Sequence, residues 1–154
     1  MTDEYRHRTV VQVRFRDIDA FGHVNNAVFF SYVELARIRY LLDVLQPDTS
    51  FDRLPLILAR VELDFRSPIA FGEEVTVETR VERIGRTSFE MRHRMTAGPD
   101  GRLAGDVQTV LVTYDYAETR PMPVPDHWRR RMAEHERRSL DGDAGPVAAG
   151  ATRA

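Results

Sequence analysis

The chain has 154 residues, 42% of them hydrophobic and 30% charged, a balance that suits one soluble globular domain and excludes a disordered or membrane-embedded chain. A formal net charge of -2 gives no general electrostatic grip on nucleic acid, so no nucleic-acid partner is expected. All 22 Lys and Arg residues are arginine and no cysteine occurs, which excludes lysine Schiff bases, thiol nucleophiles, thiolate metal sites and disulfides.

The opening MTDEYRHRTV is too polar for a secretion signal, and no apolar run approaches the roughly 20 residues that cross a bilayer; a cytoplasmic protein without a membrane partner is expected. From Thr9 to Arg16, Val11, Val13 and Phe15 alternate with Gln12, Arg14 and Arg16, the period of a half-buried first strand. The loop DIDAFGH follows. A run from about Val28 to Leu45 is then apolar on nearly every side, which predicts a buried helix with Asn25 or Asn26 as its N-cap and Pro47 beyond its end.

After the helix the period changes to two. Ile57 to Arg66 predicts a strand, SPIAFGEE a turn, Val75 to Glu82 a strand, RIGR a hairpin connection, Phe89 to Met95 a strand, AGPDGR a turn and VQTVLVTYDY the last strand. PDHWRRRMAEHERRSL reads as a short amphipathic helix with Trp128, Met132 and His135 on one side and the arginines of WRRRM on a solvated face. Residues 1–139 are expected to form one domain and 140–154, small and patternless, a mobile tail. The result is an α+β unit: strands joined by short turns pair antiparallel into a curved meander, and the helix lies on its concave face. So apolar a helix needs more cover than one small sheet provides, which predicts a homodimer.

Familiar hydrolase and nucleotide signatures are absent, with no G-x-S-x-G, no H-E-x-x-H and no glycine-rich loop before a helix. The five histidines are scattered without ligand spacing, so no metal is expected. What remains is a carboxylate beside a helix N-terminus. Asp17 and Asp19, two apart at a strand end, point to opposite faces, so one of them faces the helix. The helix start offers unpaired N–H groups and about half a positive charge, which a carbonyl oxygen needs as it becomes an oxyanion. A carboxylate there serves as nucleophile or as base toward water. Such minimal equipment suits an activated ester with a good leaving group, a thioester. Elsewhere, Glu34 pairs with Arg37 on the next turn, and His93 on an apolar strand face reads as a core or interface histidine.

The string D-I-D-A-F-G-H-V-N-N, a helix carrying E-L-A-R, G-R-T-S-F in a later strand and P-V-P after the last one resemble the 4-hydroxybenzoyl-CoA thioesterase-like family of the hotdog-fold superfamily, over roughly residues 9 to 126. The resemblance implies the hotdog fold, a long central helix wrapped by a curved five- to six-stranded antiparallel sheet. It further implies a homodimer with shared active sites, a homotetramer as the next level of assembly, and an acyl-CoA thioesterase without a cofactor. The substrate partner is acyl-CoA or an acyl carrier protein thioester. Position by position, the resemblance places the catalytic carboxylate at Asp19, the carbonyl-polarising backbone N–H at Asn26, the tight turn between them at Gly22 and a supporting role at His23. It puts substrate-side contacts at Glu34, Thr87 and Ser88 and leaves Asp17 structural or exposed. Many relatives carry aromatic residues where this chain has Asn25 and Asn26, and tyrosine where it has Phe29, so this lining lacks those hydroxyls. The alternative is a non-hydrolytic acyl-CoA binding or regulatory module. A dehydratase of this fold carries a helix histidine, and none lies between Phe29 and Leu45.

Overall fold

In a computed structural model that describes residues 4–48 and 50–142, eight regular elements follow in chain order: β1 (His7–Gln12), α1 (Asn26–Tyr40), β2 (Leu56–Phe65), β3 (Glu74–Ile84), β4 (Ser88–Ala97), β5 (Arg102–Asp115), β6 (Arg120–Pro121) and α2 (Asp126–Glu136). The first strand stops short of the expected Arg16. The Asp17 carboxylate accepts the Arg14 N–H at 2.8 Å and closes one 3-10 turn over Phe15–Asp17. Phe15 is therefore left 82% exposed instead of joining Val11 and Val13 in the core.

Of the two candidate caps, Asn25 is the one used: its Oδ1 accepts the Ala27 N–H at 2.9 Å, and Asn26 is the first helical residue. The α-helix ends at Tyr40, and Leu41–Leu45 continue as a π-helical turn, not as one α-helix to Leu45. Phe29, Tyr32, Val33, Ala36 and Tyr40 recur at helical spacing and are buried, whereas Phe30 and Leu35 stay 43% and 39% exposed. The expectation of a helix covered on nearly every side is thus corrected; within one chain part of its apolar surface stays open.

The strands form an antiparallel sheet in the order β1-β3-β4-β5-β2, with β6 paired to β5. His7 stands opposite Thr79 and Gln12 opposite Glu74. Sequential pairing, the expected meander, runs from β3 through β4 and β5 to the short β6, and β1 and β2 fall outside it. β2 does not fold back onto β3, because the connection between them is held elsewhere. Ile69 is fully buried, its carbonyl accepts the Val24 N–H at 2.8 Å, and Ala70 bridges His23.

These residues divide into two compact units, to both of which β2, β3, β4 and β5 contribute. The first comprises the described residues up to Leu41 with Leu63–Arg80 and Arg92–Val107. Here Phe29 packs edge-on against Phe65 with 5.1 Å between ring centres. His93 is fully buried with its Nδ1 3.0 Å from the Thr79 hydroxyl, and burial, then the Arg37 charge, lower its pKa to about 3. It is a neutral core histidine.

In the second unit, Leu42–Glu62, Val81–Met91 and the described residues from Gln108 onward, α2 buries Trp128 and Met132. Glu136, not the expected His135, completes that face, accepting the Val81 N–H at 2.9 Å. The arginines of WRRRM are not merely solvated. Arg129 donates to the carbonyls of Gly85 and Arg86, Arg131 to those of Leu45 and Gln46, and Arg130 alone of the three is exposed. Leu140 is buried and its carbonyl accepts the Ile84 N–H at 2.8 Å, so Leu140, Asp141 and Gly142 are held against β3 instead of starting a loose tail. Residues 143–154 of the expected tail lie outside the described residues.

Candidate active site

The loop from Asp17 to Asn25 is built as a small hairpin. The Asn25 N–H donates to the Asp17 carbonyl at 2.8 Å, Ile18 bridges Val24, and the Asp19 N–H donates to the His23 carbonyl at 2.9 Å. At the tip the Gly22 N–H donates to the Asp19 carbonyl at 3.0 Å, and the Phe21 N–H to Asp19 Oδ1 at 2.9 Å. A turn of this kind prefers aspartate first, where its side chain caps the chain two residues on, and glycine fourth. Gly22 has φ +83°, a left-handed conformation that strains any residue with a Cβ. The tight turn expected at Gly22 is present.

One oxygen of Asp19 is therefore committed to the turn, and among the described residues nothing bonds to Oδ2. Asp19 lines an open cleft of about 460 Å³ together with His23, Asn26 and Phe29. Asn26 contributes a second kind of group. Asn25 takes the next two donors of the helix, the Ala27 N–H on its side chain and the Val28 N–H on its carbonyl at 2.9 Å. The Asn26 N–H comes before the first intrahelical bond, and no group among the described residues accepts it. The cleft thus brings together a carboxylate with a free oxygen and a helix N-terminus with a free donor.

Asp17 faces neither the cleft nor solvent. It is buried, and its Oδ2 accepts from the Tyr32 hydroxyl at 2.8 Å as well as from the Arg14 N–H. Burial first, then the hydrogen bond to Asp17, push the Tyr32 phenol above its ordinary range.

The substrate-side residues expected on the helix and later strands do not line the cleft. Glu34 is exposed on α1, where its charge opposes the lowering of the Arg37 pKa by burial. Thr87 and Ser88 belong to the second unit, at the start of β4, where the Thr87 carbonyl accepts both the N–H and the hydroxyl of Thr113. Phe65, Arg66, Ser67 and Pro68 do line it, from the end of β2 and the connection after it, and went unnoticed in the sequence. Strand alternation through Arg66 carries no mark of a site. Arg66 is held by Asp106, with Nε to Oδ2 at 3.1 Å.

Residues 13–132 match the family model of the thioesterase-like superfamily. A thioesterase from Thermus thermophilus, crystallised as a complex with coenzyme A and zinc, is 42% identical and superposes with a TM-score of 0.81 over 90% of this chain and all of its own. The long-chain acyl-CoA thioesterase FadM of Escherichia coli (strain K12) is 20% identical across 82% of this chain and 97% of its own length. The chloroplastic acyl-acyl carrier protein thioesterase ATL3 of Arabidopsis thaliana is 23% identical across 82% of this chain and 67% of its own. Among the described residues no three His, Asp or Glu side chains stand together as metal ligands.

Proposed function

The chain belongs to the thioesterase-like superfamily, with its hotdog fold, and from that premise we propose that the cleft hydrolyses an acyl-CoA thioester. The observation that carries this reading is the joint presence in the cleft of Asp19, with Oδ2 unbonded among the described residues, and Asn26, with its N–H unbonded among them. A thioester carbonyl bound there accepts the Asn26 N–H, and the helix start stabilises the negative charge that grows on its oxygen. Asp19 either attacks the carbonyl carbon, expelling the thiolate and leaving an acyl anhydride that water hydrolyses to the carboxylic acid and a proton for the thiolate, or takes the proton of an attacking water. In the water route the new C–O bond forms, the C–S bond breaks, and the proton held by Asp19 passes to the departing sulfur, leaving a carboxylic acid and free thiol. Gly22 shapes the turn that presents Asp19, and His23 lines the cleft beside it.

The test is release of free thiol from a panel of acyl-CoAs. Asp19→Asn keeps the size of the side chain and removes its basicity, so kcat should fall by about 10² to 10⁴. An Asn variant with wild-type turnover on every accepted thioester ends the assignment. A wild-type protein that binds acyl-CoA saturably and releases no thiol is the non-hydrolytic module instead.

Coenzyme A is the carrier favoured here, because the 42% identical thioesterase was crystallised with it. Similarity to an acyl carrier protein thioesterase favours the other carrier. Comparing kcat/KM for one acyl group on both carriers decides between them. The open faces of Phe30 and Leu35 on α1 support a homodimer, or a pair of dimers. Light scattering should give the mass of two or four chains, and a monomer at assay concentration contradicts this.

A further inference from the structure

We propose that Asp17 and Tyr32 are positioning residues for this hydrolysis, a buried bridge that sets where Asp19 stands relative to the Asn26 N–H; the inference rests on the reading of the cleft given above. Asp17 is an acceptor for three separate parts of the chain. Its Oδ2 takes the Tyr32 hydroxyl of α1 at 2.8 Å and the Arg14 N–H of the turn after β1 at 2.8 Å, and its carbonyl takes the Asn25 N–H at 2.8 Å. Two residues beyond Asp17 lies Asp19; one residue beyond Asn25 lies Asn26. The two groups assigned to the reaction are thus both referenced to one buried residue.

Tyr32 extends that reference along the helix. It lies six residues after Asn26, about 9 Å along the axis at 1.5 Å per residue, on a rigid hydrogen-bonded rod. With the Asn25 bond holding the start of α1 and the Tyr32 bond holding its side farther on, the helix can neither slide nor rotate against the loop without breaking one of them. The chemistry of the pair agrees with this role. Tyr32 is 5% exposed, and a phenylalanine fills nearly the same volume; the one described partner of its hydroxyl is Asp17. A buried aspartate is costly unless its oxygens are satisfied, and an ionised acceptor makes hydrogen bonds roughly twice as strong as a neutral one. Neither side chain lines the cleft, so neither touches substrate.

The test compares Tyr32→Phe with the wild-type enzyme in the thiol-release assay. Misplacement by a fraction of an ångström to about 1 Å predicts a fall in kcat of roughly tenfold to a hundredfold. KM should stay within about twofold, since binding groups are untouched, and the thermal midpoint should drop by only a few degrees for one lost hydrogen bond. Adding Asp17→Ala to Tyr32→Phe should cost less than the product of the two single losses, because both act through one bridge. A Tyr32→Phe enzyme whose kcat lies within twofold of wild type, or a double variant whose losses multiply, overturns the proposal. If Tyr32→Phe does not accumulate as folded protein, Asp17→Ala, which removes the oxygen that accepts both bonds, carries the same test: lowered kcat at constant KM supports the bridge and wild-type kcat defeats it. A wild-type protein without thiol release defeats the reading of the cleft and the bridge with it, whereas an active wild type with unaffected variants defeats the bridge alone.

Discussion

Gly22 holds the tip of the loop in a conformation that other residues reach only with strain. With φ +83° and no atom within 4 Å of an added Cβ, Gly22→Ala meets no clash, so its whole effect comes from the backbone. The left-handed conformation should cost about 1–2 kcal/mol and displace the turn that presents Asp19. Thermal unfolding and thiol release measured together should both decline; a variant unchanged in both shows that the turn tolerates a side chain. Gly22 and Asp19 were placed in the sequence by the family resemblance of the D-I-D-A-F-G-H string, and the local turn chemistry behind them, aspartate first and glycine fourth, is what the structure adds. Asp17 was only half legible. A structural role was among its expected places, but its partner Tyr32 is 15 positions away, and nothing in the string joins them.

At the level of elements, the start of α1 is the part whose energetics bear on the site. Asn25→Ala removes the acceptor of the Ala27 N–H and should destabilise the protein by about 1 kcal/mol. Chemical denaturation checks this, and an unaltered midpoint shows that solvent replaces the cap. The cap was predictable as one of two asparagines, since the residue type carries the chemistry, and the structure selects between them. Period also located β2, β3 and β4 to within two residues, but it ran β1 on to Arg16, began β5 at Val107 instead of Arg102 and did not mark the short β6. It did not reveal that β2 leaves β3, because that depends on Ile69 and Ala70 being held by the site loop. Nor did it reveal Arg129 and Arg131 as donors to loop carbonyls, since a backbone acceptor leaves no trace in side-chain pattern.

For the whole molecule, acid should destabilise through His93. Its ordinary value of 6.5 falls to about 3 in the folded protein because it is buried and then because Arg37 stands near. The unfolded chain takes up a proton below pH 6.5 that the folded chain refuses until about pH 3, so stability is fully present above 6.5 and is lost as pH falls. The slope reaches about 1.4 kcal/mol per pH unit for one proton. Denaturation curves from pH 7 to pH 4 should show it, with a shallower slope in His93→Gln; equal slopes contradict the assignment. The α+β class and the long helix were readable from period alone, whereas open apolar positions such as Phe30 became visible only once burial was known. The central claim is that one carbonyl is handled by Asp19 and the Asn26 N–H together, and the most direct measurement is a crystal structure of the Asp19→Asn variant with an intact acyl-CoA. The carbonyl oxygen should lie about 3 Å from the Asn26 nitrogen, with its carbon facing the side chain at position 19. A thioester bound with its carbonyl out of reach of that N–H, or outside the cleft, contradicts the account.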